Sequence, residues 1–405
     1  MSTAPKMLTL LLKRLTIHVK NTNKKHYLWQ RERQKHTIMA KYEIKDGVAI
    51  IPEGATEIEE GAFEDYERLR EVVIPQGVRK IGKEAFYGCK NLEKVELPER
   101  LEEIGEWAFF WCSSLSGITL PRWVKRIGHH AFDGCSSLTS IAIPPSVTEI
   151  GDGVFSGCSS LTSISIPPSV TEIGEQAFFH CSSLTSISIP ESMTEIGKSA
   201  FWGCSSLESI IIPPAVTEIG DDAFSFCKSL TSIIIPPAVT EIGEGTFWGC
   251  TSLESIIIPP SVTEIGWYVF ASCSSLTSIK VDPANLFYDS REDCNAIIHT
   301  ESNTLISGCQ NTIIPPSVTE IRGWAFSGCS SLESISIPPS VTKIGDGAFS
   351  GCSSLTSISI PPSVTEIGWW AFSYCSSLTS VRVSKNTKIA DEAFKDCPEV
   401  KIERY

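Results

Sequence analysis

The chain has 405 residues, 42% of them apolar and 20% charged, and a formal net charge of −13 at pH 7. No stretch approaches the roughly 18 consecutive apolar residues of a membrane-spanning helix, so a soluble chain is expected. The charge is unevenly divided: residues 1–41 carry ten Lys or Arg against one acid (Glu32), and the remainder carries 24 basic and 46 acidic side chains. An acidic body argues against nucleic acid as its partner, because phosphate binding needs a basic face.

Residues 1–41 form a basic leader. Its early apolar run, Met7–Leu12, is cut by Lys13 and Arg14. That is short of the roughly 7–15 apolar residues of an export signal, and no small-residue cleavage site follows, so no signal peptide is read. The leader has the charge to meet nucleic acid or an anionic membrane surface, but a solvated, poorly ordered segment is the expectation. The Met39-Ala40-Lys41-Tyr42 junction runs straight into repeat-like sequence. Met39 as the natural start, with residues 1–38 an upstream extension, is the further expectation.

From Tyr42 a 23-residue pattern recurs, written most plainly as Ile-Pro-Pro-Ser-Val-Thr-Glu-Ile-Gly-Glu-Gln-Ala-Phe-Phe-His-Cys-Ser-Ser-Leu-Thr-Ser-Ile-Ser from Ile166 to Ser188. Ten anchor phenylalanines keep that period: Phe63, Phe86, Phe109, Phe132, Phe155, Phe178, Phe201, Phe224, Phe247 and Phe270. Phe326, Phe349, Phe372 and Phe394 follow. A fixed period of this length means a solenoid, in which each coil buries its apolar face only against its neighbours. In the coil Val170–Ile189 the inward set is Val170, Ile173, Ala177, Phe178, Cys181, Leu184, Ile187 and Ile189. Thr171–Gly174 reads as a short extended piece. Glu175–Cys181, with apolar residues three apart, reads as one helical turn. Leu184-x-x-Ile187-x-Ile189 reads as a strand stopped by Pro190, which has no amide to donate. The ends need capping, and Tyr42–Arg70 and Lys385–Tyr405 are the expected caps.

The period breaks once. After Phe270 the next anchor is Phe326, two repeats plus ten residues later. Asn295–Ser307 reads as a hairpin about Glu301-Ser302. Asp282–Asp293 reads as a solvated polar loop, whose Asp289, Glu292 and Asp293 lack the spacing and central Gly of a calcium loop. The expected organisation is therefore leader 1–41, repeat block 42–281, irregular repeat 282–312 and repeat block with cap 313–405.

The pattern Leu161-x-x-Ile164-x-Ile166-Pro-x-Ser-Val170-x-x-Ile173-Gly174-x-x-Ala177-Phe178-x-x-Cys181 resembles the BspA-like, or Treponema-type, leucine-rich repeats. The likeness covers roughly residues 43–405. The segment Tyr288-Asp-Ser-Arg291…Cys294-Asn-Ala-Ile-Ile298…Asn303-Thr-Leu-Ile306…Gly308-Cys309 also resembles one that punctuates such proteins. The resemblance implies an α/β, β-rich, right-handed leucine-rich-repeat solenoid, with one short parallel-sheet strand and a short helical turn per coil. It further implies binding roles, often surface adhesion or host-protein contact, rather than catalysis. The compartment stays open: the missing export signal favours the cytoplasm, the resemblance a cell surface.

Thirteen of the fifteen cysteines share one column, three after each anchor Phe, from Cys89 to Cys397. A buried thiol ladder is expected, since parallel Cβ vectors do not suit disulfides and the spacing is no zinc pattern. Cys294 and Cys309 lie at the open ends of the hairpin, where a bridge is an alternative in an oxidising compartment. Glu149, Glu172, Glu195, Glu218, Glu241 and Glu264 form a row. Like charges about 5 Å apart repel by about 0.8 kcal/mol in water, tolerable on a solvated edge. A weak divalent-cation stripe or a docking edge for a basic partner is the alternative.

The variable positions carry the functional signal. Trp107, Trp111, Trp123, Trp202, Trp248, Trp267, Trp324, Trp369 and Trp370 occupy columns where other copies have Glu, Asp, Gly or Ser. Phe110, Phe179, Phe226, Tyr268 and Tyr374 join them, most flanking the Ala-Phe anchor. Two readings stand side by side: a partner-binding surface, since exposed aromatics concentrate at hot spots and also stack on sugars, or packing against the next coil. On the strand face Ile211, Ile234 and Ile257 stack into an apolar stripe, either a contact patch or simple β-propensity. The seven histidines are scattered, and no phosphate loop, zinc motif or nucleophile elbow is present. The expectation is a non-enzymatic scaffold without cofactor or metal that binds an unidentified protein, the alternative being carbohydrate binding through the Trp columns.

Overall fold

The computed structural model describes residues 42–405; the leader and its Met39 junction lie outside the described residues. Most regular coils contribute two short strands, such as Glu172–Ile173 and Ser186–Ser188. Each pairs in parallel with its counterpart one coil away, Glu149 against Glu172 and Ser186 against Ser209. The partners are one sequence period apart, so the 23-residue repeat is also the register of the sheets. Side chains alternate as a strand requires: Ile173 and Ile187 face in, while Glu172, Ser186 and Ser188 face out. All eight residues expected inside the coil Val170–Ile189 are buried.

The segment expected as a helical turn is not helical. No α-helix occurs among the described residues, and the reason lies in where the amides go. Phe179 N–H donates to Gln176 O at 3.0 Å and Cys181 N–H to Phe178 O at 3.1 Å, both within the coil. Phe178 N–H donates instead to Ala200 O at 2.8 Å, and His180 N–H to Trp202 O at 2.7 Å, both in the next coil. An α-helix would keep every amide within its own segment. Here alternate amides form a third ladder between coils, and the chain turns outward at two left-handed residues, Gln176 (φ 55°) and His180 (φ 56°). The three-residue spacing of Phe178 and Cys181 survives because the in-coil bonds span three residues.

The core is a column of rings. Neighbouring anchor phenylalanines stack nearly parallel, from 4.9 Å and 4° for Phe326 on Phe349 to 5.9 Å and 5° for Phe132 on Phe155. Burial of each contributes about 1.5–3 kcal/mol. Beside them runs the thiol column, unbridged throughout, Cys294 and Cys309 included. Its chemistry is specific: Cys181 Sγ donates to Phe155 O at 3.1 Å and Cys204 Sγ to Phe178 O at 3.2 Å. In regular coils the anchor carbonyl thus accepts its own coil's Cys amide and the next coil's thiol, as Phe178 O does from Cys181 N–H and Cys204 Sγ.

At the interruption Tyr288–Asp289, Ala296–His299 and Thr304–Gly308 form an antiparallel three-strand unit. Thr304 and Leu305 then pair in parallel with Glu320 and Ile321, restarting the ladder. The apolar core divides here: Ile297 and Cys309 belong to the first stack, Ala296, Ile298 and Leu305 to the second. The preceding segment is not the solvated loop that its composition suggests. Tyr288 and Asn285 are buried, and Asn285 Nδ2 donates to Pro259 O at 2.8 Å and Val262 O at 3.0 Å. Asp289 is held by Arg291, through Nε at 2.8 Å and Nη2 at 2.6 Å. At the ends, Tyr42 lies over Phe63 at 4.9 Å, and Tyr405 Oη donates to Ile360 O at 2.8 Å.

Burial pushes the column thiols from Cys89 to Cys352 up, Cys204 to about 12. An unfolded thiol ionises near pH ~8.5, so above that the unfolded chain sheds protons that the folded chain keeps. Stability is therefore full below about pH 8.5 and falls as pH rises, by about 1.4 kcal/mol per pH unit for each such thiol. Urea unfolding at pH 7.5 and pH 10 is expected to show a large loss at the higher pH. A native thiol assay at pH 8 should leave the column unreactive, with all fifteen cysteines titrating after denaturation.

Candidate functional site

The two left-handed positions recur in every turn segment, two residues before and two after the anchor. Most side chains resist positive φ, and glycine does not, so these are natural glycine columns. Many coils do carry Gly there, among them Gly88, Gly134, Gly157, Gly249 and Gly351. Others carry Trp107, Trp111, Phe226, Tyr268, Trp324, Trp370 and Tyr374, all at φ between 52° and 64°. Half of the aromatics expected from sequence are thus placed where the backbone geometry suits them least.

A rule of succession makes room for them. The ring at such a position lies over the same column of the following coil, which is often Gly. A β-carbon added to Gly249 would meet the Phe226 ring at 2.8 Å, and one on Gly347 the Trp324 ring at 2.6 Å. Trp111 lies over Gly134 in the same way. The Trp111, Trp370 and Tyr374 rings stay exposed, whereas Trp107 has Lys83 and His130 in the two adjacent coils, and Phe226 has Trp202 and Trp248. The column just after the anchor adds Tyr87 on Phe110 (4.8 Å, 12°) and Phe179 on Trp202 (4.7 Å, 14°). Trp202 meets Phe226 at 5.1 Å, which meets Trp248 at 4.9 Å.

The expected site residues fall into separate groups on this turn face. Tyr87, Trp107, Phe110 and Trp111 form one, and His130 stacks on Trp107 at 6.1 Å. Phe179, Trp202, Phe226 and Trp248 form a second, with His180. Tyr268 and Trp324 pair at 5.1 Å beside Trp267. Trp369 and Trp370 pair at 6.2 Å, near Tyr374 at the end of the stack. Trp111, Trp248, Trp267, Trp369, Trp370 and Tyr374 are exposed, while Trp107, Phe110, Phe179, Trp202, Tyr268 and Trp324 are half-buried. Trp123 stands apart, with Arg122 at 5.2 Å. On the strand face Ile211, Ile234 and Ile257 are 81%, 84% and 60% exposed. Tyr87, His130 and His180 escaped the sequence reading, although they sit in the same columns.

The carboxylate row has a structure of its own. Toward the start of the stack the column alternates in sign, Glu57, Lys80, Glu103 and Arg126 in register; toward its end it alternates again, Glu320, Lys343, Glu366 and Lys388. Between them Glu195, Glu218, Glu241 and Glu264 face like charges directly. Burial first, then Glu264, Glu218 and Asp221, raise the Glu241 carboxyl. Among the described residues no group of three His, Cys, Asp or Glu is arranged to hold a metal ion. Nor is any described helix long and apolar enough to cross a membrane.

Arg322 is the residue that sequence reading missed. It stands in the column of Gly243, Gly266, Gly345 and Gly368, where an added β-carbon would strike the adjacent coil's backbone at 2.5 Å for Gly243 and 2.4 Å for Gly266 and Gly345. In regular coils that Gly donates to the Ile carbonyl one coil back, as Gly266 N does to Ile242 O at 2.9 Å. At the seam the Arg322 amide turns to Leu305 O at 2.9 Å, and the Ile265 carbonyl loses that partner. The Arg322 side chain supplies it: Nη1 donates to Ile265 O at 3.0 Å and Gly266 O at 3.3 Å. The guanidinium also lies 3.8 Å over the Trp267 ring. Its signal in the sequence was a departure from Gly in the first coil after the break, a column otherwise left by Gly only at Glu59 and Ala390 in the end coils.

These coils, their parallel ladders and their interlocked turns define a leucine-rich-repeat solenoid. The model of the BspA-type leucine-rich-repeat region matches residues 56–185, 171–294 and 296–401, and the chain belongs to that family. A leucine-rich repeat protein from Bacteroides ovatus is 28% identical, over 90% of this chain and 97% of its own, with a TM-score of 0.60. A leucine-rich cell surface protein from Faecalibacterium prausnitzii is 26% identical, over 90% and 92%, with a TM-score of 0.47. A leucine-rich repeat protein from Eubacterium ventriosum is 23% identical, over 72% and 79%, with a TM-score of 0.51. No curated protein matches the chain. Leucine-rich-repeat solenoids generally serve as binding scaffolds for proteins.

Arg322→Gly restores the residue that the regular coils carry, yet it is expected to lower stability, because the Ile265 and Gly266 carbonyls lose their donor. A loss of about 1–3 kcal/mol in urea unfolding is expected. Unchanged or higher stability would show that the seam carbonyls are satisfied by other means.

Proposed function

We propose that this chain is a non-enzymatic scaffold that binds protein through its turn-face aromatics, in a contact or adhesion role. One observation carries the reading: Trp, Tyr and Phe occupy left-handed positions that the stack fills with Gly in other coils. A bulky residue there costs about 1–2 kcal/mol of backbone strain, and the Trp111, Trp370 and Tyr374 rings stay exposed to water. The coil closes equally well with Gly, so the fold alone does not call for an indole. Half-exposed Trp and Tyr on a rigid support are what interface hot spots are made of. The carboxylates form a uniform row rather than a pair in contrasting environments, which does not suit acid–base catalysis.

The flat pairs Tyr87–Phe110 and Phe179–Trp202 favour a second reading, stacking of sugar rings on a planar platform. Replacing Trp202 and Trp248, which flank the left-handed Phe226, together by Ala separates the two. Loss of protein binding by tenfold or more, about 1.4 kcal/mol, is expected in calorimetric titration with the partner. Stability should fall by only about 1–3 kcal/mol, because the rings are half-buried and stacked. Retained protein binding with loss of oligosaccharide binding on a glycan array would move the assignment to carbohydrate.

A further inference from the structure

The seam that Arg322 closes on one side opens a groove on the other. The column three residues before each anchor carries Trp267, then Gly323, Asp346 and Trp369 in successive coils of the turn face. Ser272 N–H donates to Ser327 O at 2.7 Å, so the coils of Phe270 and Phe326 are direct neighbours on this face despite the long interruption between them. The two indoles are therefore three coils apart, about 14 Å at sheet spacing, with no large side chain of that column between them. The groove between them has a volume of about 580 Å³.

Its chemistry is lopsided. Glu244, Glu320, Asp346 and Glu366 line it against two cations, Arg322 and Lys343. Arg322 is already committed to the Ile265 and Gly266 carbonyls. Lys343 sits in register between Glu320 and Glu366. Carboxylates remain in excess beside two half-exposed indoles, Trp267 at 46% and Trp369 at 47%. A flat cation satisfies both features, because its charge meets the carboxylates and its plane meets an indole face. The site already contains one such contact, the Arg322 guanidinium 3.8 Å over Trp267.

We propose that this groove receives an arginine-bearing segment of a partner protein, its guanidinium laid against Trp369 or the open face of Trp267 and paired with Glu366 or Glu320. The proposal rests on the protein-binding reading above and names the chemistry of the partner at one place. Arginine is favoured over lysine, since only the guanidinium both stacks and donates through two nitrogens to one carboxylate.

The probe is a short blocked peptide with two arginines separated by glycine, titrated into the full chain by calorimetry and tryptophan fluorescence. Its lysine and glutamine counterparts and a neutral cello-oligosaccharide serve as comparisons. Saturable binding of the arginine peptide is expected, weakened by added salt and stronger than that of the lysine peptide. Trp369→Ala and, independently, Glu366→Gln should each weaken it about tenfold or more, with Ser163→Ala on the strand face leaving it unchanged. Circular dichroism of each variant establishes that it is folded, and the isosteric Glu366→Gln keeps the test valid if Trp369→Ala is not. No saturable binding, equal affinity in Glu366→Gln, or binding of the oligosaccharide in place of the peptide would overturn the assignment. The scaffold reading is judged separately by the Trp202 and Trp248 replacement, which lies outside the groove.

Discussion

In the turn segment of each coil, amides alternate between a carbonyl three residues back and a carbonyl in the next coil. This alternation locks neighbouring coils together on the side away from the longer strands. It sets the spacing at which anchor phenylalanines stack, and it brings each Cys thiol to the carbonyl of the preceding anchor. It also imposes two left-handed residues per coil. The positions at which the chain has least conformational freedom are therefore on its surface. Whatever occupies them is displayed at a fixed repeat by a rigid support.

Those positions explain why the aromatics come in patches. A ring there needs space over the following coil, and Gly in that coil provides it, as Gly249 does for Phe226 and Gly347 for Trp324. Two large residues can succeed one another only when they stack or lean apart, as Trp107 and His130 or Tyr268 and Trp324 do. The turn face is thus a sequence of aromatic patches separated by glycine, each half-packed and half-open. The interruption uses the same logic. It inserts an antiparallel unit among the strands, leaves the turn faces of the Phe270 and Phe326 coils in contact, and assigns Arg322 to the carbonyl that lost its neighbour.

The stack itself was legible because its rule is local and repeated: Val170, Ile173, Ala177, Phe178, Cys181, Leu184, Ile187 and Ile189 are inward in every sense the pattern implied. What escaped depended on partners a coil or more away. The spacing of Phe178 and Cys181 suits a helix, and the bonds from Phe178 N–H to Ala200 O and from His180 N–H to Trp202 O show otherwise. Asp282–Asp293 has the composition of a solvated loop, but Asn285 reaches back to Pro259 and Val262. The aromatic columns were visible as exceptions to the repeat. That they coincide with left-handed backbone was not, since positive φ leaves no mark on a Trp as it does on a Gly.

The division of labour between shared and variable columns is open to one direct measurement. Trp111, Trp248, Trp369 and Tyr374 are replaced together by residues that other coils carry in the same columns, namely Gly as in Gly134, Ser as in Ser225, Asp as in Asp346 and Gly as in Gly351. Thermal unfolding and partner affinity are then measured on the same sample. A cooperatively folded chain with an unchanged circular dichroism spectrum and no remaining affinity is the predicted result. An unfolded chain, or a folded one that binds as before, would contradict it.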